Sequence, residues 1–303
     1  MKTKLNLIIS TALLLAFPSI ASASQLGTSI SPAVITINAR DSQQSADIFV
    51  ENKTSQKVSY SILLVPFTSS GGNGEPILQK TIDRDYSNLF KNVVILDGNA
   101  PTTIITLAPQ QKKTLKLVIN LPNDLKKRDY YFSIIFTSNA SEKIENSASV
   151  SIRQALGVNV LLSLGKNAQT QGEIKEFSTS NFVASEPVNF KLNVANQSQN
   201  FTTVTGNINI KNMFGQTIGS FDIEKTNILG NSERTIPAAW NEKLLLGKYT
   251  AKVEVSLSPQ GPVVTNEATF IAFPYEYLIL GLFLLLILYY LRSRMTSRSS
   301  SSN

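Results

Sequence analysis

The chain has 303 residues, 28 Lys+Arg against 21 Asp+Glu, no His and no Cys. Without His or Cys it builds no Ser-His-Asp triad, thiol nucleophile, Cys/His zinc site or disulfide frame, so any catalysis would rest on Asp, Glu, Lys, Tyr or Ser alone. A hydrophobic share of 42% with only 16% charged residues places it among folded chains long enough for about two domains.

Residues 1–23 read as a signal peptide. Lys2 and Lys4 form a positive start, 5–17 is an apolar run, and Ala21-Ser22-Ala23 is a small-x-small exit that places cleavage between Ala23 and Ser24. From Gly27 to Ala272 apolar and polar residues alternate, as in Lys57-Val58-Ser59-Tyr60-Ser61-Ile62 and Thr114-Leu115-Lys116-Leu117-Val118-Ile119. Period-two patterning with β-branched residues, broken by Asn, Gly, Ser and Pro, predicts half-buried strands of an all-β fold. One short helix is expected around Asp85 to Lys91. The polar stretch near 165–172 divides two immunoglobulin-like β-sandwich domains, 25–165 and 173–273, the first carrying an inserted loop at 67–92. The two halves share a faint order: strand, Asn-rich turn and strand (49–62 and 193–208), then a strand with basic flanks, then a strand opened by Tyr130 or Tyr249.

A second apolar run, 277–291, is uncharged over 15 residues, and the 24 residues from Ala268 carry one charge, Glu276. The core run covers roughly 22 Å, and the longer stretch suffices for a slab of about 30 Å. The expectation is one C-terminal transmembrane α-helix (275–291) with Tyr275, Tyr277, Tyr289 and Tyr290 as interface anchors. Arg292 and Arg294 in the tail 292–303 place the C-terminus in the cytoplasm. The protein is thus expected in the cell membrane, single-pass, with an extracellular ectodomain. Of the 28 basic residues two lie in the leader and three in the tail, leaving 23 against 21 acidic. A nearly neutral ectodomain is no nucleic-acid footprint.

Candidate sites are few, and no cofactor or metal is expected. Asp83, Arg84, Asp85 and Tyr86 are the candidate ligand-binding group: aromatic faces stack on sugars and carboxylates bind their hydroxyls. The alternative is that Leu89 and Phe90 pin the loop and the acids cap a helix. As a calcium loop the segment fails, with Asn88 and Val94 where Gly and Glu are needed. Tyr130 and Tyr249 suit a tyrosine corner, Trp240 a core position. Lys112, Lys113, Lys126, Lys127 and Arg128 suit either a patch facing anionic wall polymers or ordinary strand-end charge. Asn52-Lys-Thr54, Asn139-Ala-Ser141, Asn196-Gln-Ser198 and Asn200-Phe-Thr202 match the glycosylation acceptor pattern and are read as turn chemistry.

The first half resembles the N-terminal domain of the bacterial WxL-interacting proteins. The resemblance is carried by Ser31-Pro32, Val50-x-Asn52 with its polar turn, the aromatic-acidic loop, Leu107-Ala108-Pro109, Leu115 to Ile119 and Pro122. In the second half Asn193-Val194-Ala195-Asn196, Gly206-Asn207-Ile208, Phe214-Gly215 and Leu246-Gly247-Lys248-Tyr249 are similar to the immunoglobulin-like domain beside it. The resemblance implies a cell-surface role, with peptidoglycan bound by the first domain and other surface or host proteins by the second. The expected function is therefore a membrane-anchored, non-enzymatic binder of cell-wall glycan or a surface protein. The rival is a chaperone-like assembly factor for secreted or surface proteins that works by strand addition, similar in plan to pilus chaperones.

Overall fold

In the computed structural model the described residues are 27–299, apart from 40, 70, 73, 139–154, 165–169, 243–245, 259–260, 262 and 274. The expected cleavage pair Ala23 and Ser24 and the acceptor Asn139 lie outside them. The first eleven strands are β1 (Thr28–Ser31), β2 (Val34–Asn38), β3 (Gln43–Asn52), β4 (Val58–Ser69), β5 (Pro76–Leu78), β6 (Val93–Asp97), β7 (Ala100–Pro101), β8 (Ile104–Leu107), β9 (Lys112–Asn120), β10 (Asp129–Ser138) and β11 (Ala155–Ser163). Helix α1 (Arg84–Phe90) stands between β5 and β6. Nine more strands follow: β12 (Gly172–Thr179), β13 (Phe182–Val183), β14 (Val188–Asn196), β15 (Thr202–Lys211), β16 (Thr217–Asp222), β17 (Thr226–Ile228), β18 (Ser232–Trp240), β19 (Gly247–Ser256) and β20 (Val263–Ala272). Helix α2 (Tyr275–Ser299) closes the chain.

The strands make two immunoglobulin-like sandwiches with the same wiring except that β6 and β7 have no counterpart in the second. In the first, the sheet β1-β3-β9-β6-β7 faces β2-β11-β10-β4-β5; in the second, β12-β14-β18 faces β13-β20-β19-β15-β16. In each, the opening strand is split between the two sheets, and its second piece lies parallel to the last strand, β2 beside β11 and β13 beside β20. Alternation explains both cores. Ile48, Val50, Leu115 and Leu117 from one sheet meet Phe132, Ile134, Val158 and Val160 from the other, all essentially inaccessible. Val194, Ile208, Val253 and Phe270 do the same in the second sandwich, where Trp240 is also buried. Burial of this apolar surface, at about 25 cal/mol per Å², is the main force holding each sandwich in the absence of any disulfide.

The C-terminal segment requires a correction. Within α2, side chains are described for Tyr275 and for 279–292. The uncharged stretch 279–291 is about 20 Å long at ~1.5 Å per residue, against about 30 Å of hydrocarbon. Among the described residues no helix is long and apolar enough to cross a membrane. This overturns the expected span, the single-pass topology with a cytoplasmic end, and the cell-membrane location. It also removes the interface-anchor role given to Tyr275, Tyr277, Tyr289, Tyr290, Arg292 and Arg294. Of these, Tyr275, Tyr289 and Tyr290 are exposed on α2, and the side chains of Tyr277 and Arg294 lie outside the described set.

Candidate functional site

The aromatic-acidic loop is used internally. Asp83 caps α1 by accepting the Tyr86 backbone N–H at 2.8 Å. Its other carboxylate oxygen and that of Asp85 accept from Arg128, at 3.2 and 3.4 Å, and Lys126 pairs with Asp85 at 3.1 Å. Tyr86 is buried. Its hydroxyl accepts from the Tyr131 backbone N–H at 3.0 Å and donates to the Tyr131 carbonyl at 3.1 Å, bonding it to β10 in both directions. Burial pushes the Tyr86 phenol above its usual range, and the Arg128 guanidinium lies over the Tyr86 and Tyr130 rings. Leu89 is inaccessible and Phe90 meets Phe132 edge-on, so the loop is anchored by packing. Arg84 alone of the four projects into solvent without a described partner. The Tyr130 hydroxyl donates to the Lys126 carbonyl at 3.2 Å, a tyrosine corner.

Two of the acceptor-pattern asparagines are structural. Asn52 is inaccessible; its amide donates to the carbonyls of Gln56 and Ala108 at 2.7 and 2.9 Å, and its oxygen accepts from the N–H and hydroxyl of Thr54. Asn196 repeats the arrangement in the second sandwich, donating to Asn200, Ile228 and Leu229 and accepting from Ser198. A short Asn side chain that satisfies backbone groups on both sides of a turn is turn chemistry, as the spacing predicts. Two more members of the basic patch are likewise paired, Lys112 with Glu51 and Lys113 with Asp97.

The joint between the sandwiches was not legible in the sequence. Asp129, buried at the start of β10, accepts from the Asn200 amide and from the Phe201 backbone N–H, both at 2.6 Å. The Tyr131 hydroxyl donates to Asp129 at 3.1 Å and accepts from the Gly230 N–H at 3.3 Å. Burial, then the Asp129 charge, drives the Tyr131 phenol well above its usual range. Phe67, Tyr131 and Phe201 form a row of rings across the joint, the first pair tilted and the second edge-on. The inserted loop extends this contact: the Thr235 N–H donates to the Gly72 carbonyl at 2.6 Å, and Gly74 approaches the Arg234 side chain so closely that a Cβ there would sit 2.5 Å from Nε. A cleft of about 680 Å³ opens beside the joint, lined by Ser69, Tyr131, Lys175, Gln197, Leu229 and Glu233 among others.

The second feature lies on β11. Its inward residues Val158, Val160 and Leu162 are inaccessible. The Asn159 N–H donates to the Ala33 carbonyl at 2.9 Å and so points toward β2. By the two-residue alternation of a strand, the N–H and C=O of Gly157 and Ala155 point to the same side. There β2 has ended: it pairs with β11 only from Asn159 to Ser163, because the chain crosses at Ser31-Pro32 to the other sheet, where Ser31 pairs with Phe49. Among the described residues, Ala155 and Gly157 find no partner on that side. Other edges differ. On β18, the Thr235 N–H points off the edge to Gly72, which puts Pro237, two residues on, at another outward position. Its missing N–H withholds a donor from any incoming strand.

Among the described residues no group of three or more His, Cys, Asp or Glu stands together. The expectation of a membrane-anchored surface receptor is corrected, since among the described residues no helix is long and apolar enough to cross a membrane; Asp83, Asp85 and Tyr86 bond to Arg128, Lys126 and β10.

No family model matches the chain, which leaves the resemblance to WxL-interacting proteins without support, and no curated protein matches it either. Solved structures do. The class 5 fimbriae chaperone CfaA is 13% identical, with 80% of this chain and 99% of that one covered at a TM-score of 0.37. The Pseudomonas aeruginosa CupB2 chaperone is 8% identical over 80% and 99% at 0.38. The E. coli chaperone DraB is 12% identical over 80% and 97%, also at 0.38. With TM-scores below 0.5, the immunoglobulin-like assignment stands on the strand order and register above.

Proposed function

We propose that the protein is a non-enzymatic, chaperone-like assembly factor that takes up an extended segment of a secreted or surface protein by strand addition. One observation carries this reading: the first half of β11 presents the N–H and C=O of Ala155 and Gly157 without a partner among the described residues, while its other side is paired with β10 throughout. Unpaired backbone groups on a rigid edge are a template for another strand. The joint at Asp129 supports the same reading, since it holds the second sandwich fixed relative to this edge.

The test is a photo-reactive residue placed at Ala155, with a control at Ser220 on the β16 edge. Cross-links to a client are expected at Ala155 only, and they should be lost when Gly157→Pro removes the outward N–H. Equal cross-linking at both positions, or a yield untouched by Gly157→Pro, would sink the proposal.

A further inference from the structure

Resting on the strand-addition reading, we infer that the edge of β11 selects an incoming strand carrying a large aromatic side chain opposite Gly157. Three residues lie in one row across the outer face of the sheet: Gly157 on β11, Ile135 on β10 and Leu63 on β4. Leu63 is 54% exposed and Ile135 is only half-buried. Ile104, 57% exposed, lies one row on, opposite Ser61. In the row of Leu63 and Ile135 the position next to the free edge, Gly157, carries no side chain. Among the described residues, a Cβ built on Gly157 would meet nothing nearer than the Ile134 carbonyl, 4.0 Å away. The result is a slot with a bare backbone floor and an apolar far wall, open toward the place an added strand would occupy.

The occupant follows from this shape. The outward backbone groups of Ala155 and Gly157 require an extended polypeptide, whose nearest strand axis would stand about 4.8 Å from β11. From there a short side chain ends above Gly157 and covers nothing. Ile135 lies two strand spacings away, about 9.6 Å; an aromatic ring, long enough to pass over a neighbouring position, crosses the glycine toward the Ile135 side chain. Covering an edge glycine with a cross-strand aromatic is a recognised way to recover the packing that glycine forfeits. The occupant is therefore a segment of another protein with an aromatic residue on the face it shares with Leu63 and Ile135.

The probe is a pair of capped nine-residue peptides of alternating Thr and Val, identical except for Phe or Ala at the central position. Each is titrated into the full chain and followed by the amide resonances of Ala155 and Gly157. The Phe peptide is expected to bind about fivefold more tightly than the Ala peptide. Gly157→Leu, which fills the slot from within, should bring the two within about twofold, while Gly157→Pro should abolish binding of both. Equal affinities for the unaltered chain, with Gly157→Pro still blocking both, overturn the aromatic slot and leave strand addition standing. Binding indifferent to Gly157→Pro, or none to the unaltered chain, overturns both. A dimer in sedimentation that Gly157→Pro dissociates identifies a second copy as the occupant and overturns a foreign partner.

Discussion

Asn52 and Asn196 show how much one side chain can hold. Each sits inside a turn between two strands and satisfies backbone groups from segments far apart in sequence, with Asn52 reaching Ala108 and Asn196 reaching Leu229. Asn52→Ala leaves the part-buried Gln56 and Ala108 carbonyls without this donor. We expect a loss of about 3 kcal/mol in chemical denaturation of the first sandwich; a loss within the range of a surface substitution would show that water replaces the amide without cost. The pattern was legible as two Asn-x-Ser/Thr turns at matching places. Its depth was not, because a sequence shows the acceptors beside an Asn but not the strand that folds over it.

Among the elements, strands were the most legible, since inward and outward residues alternate without interruption along β9 and β19. Helix α1 was readable from its cap and apolar spacing. Edges were not readable, because pairing depends on where the opening strand leaves one sheet for the other, and only the fold fixes that. The contrast between β11 and β18 makes a prediction. Pro237→Thr restores an outward N–H to an edge nine residues long while keeping the side chain on the exposed face. Self-association, read as a concentration-dependent shift in sedimentation velocity, should rise with little change in stability. A monomer at all concentrations would mean that the Gly72 contact, and not the proline, closes this edge.

For the whole molecule, the joint was hidden because Asp129 and Asn200 stand 71 residues apart with no local pattern linking them. The Tyr131 phenol at its centre is shifted upward by burial and by Asp129. A folded-state value above the ordinary one near 10 means its contribution is fully present below that pH and is lost as pH rises beyond it. The separated form ionises there and the docked form does not. Between pH 9 and 11 the radius of gyration should grow while the far-ultraviolet spectrum still reports intact sheets. Tyr131→Phe should begin looser at pH 9 and change little further. A radius that stays constant in the unaltered protein would place the strength of the joint elsewhere, in the Asp129 contacts to Asn200 and Phe201.

The parallel strand pairs have a mechanical consequence. Pulling the chain by its two ends draws β2 and β11 along each other in opposite directions, so their ladder resists in shear, all rungs together, and does not unzip one rung at a time. The first sandwich has five such paired positions and the second, between β13 and β20, has two. Under rising tension in an optical trap the second sandwich should therefore yield first and the first should remain intact to higher force; rupture in the reverse order would show that another ladder bears the load. A molecule so built would keep the half that carries the open β11 edge in working shape when the other half has already given way.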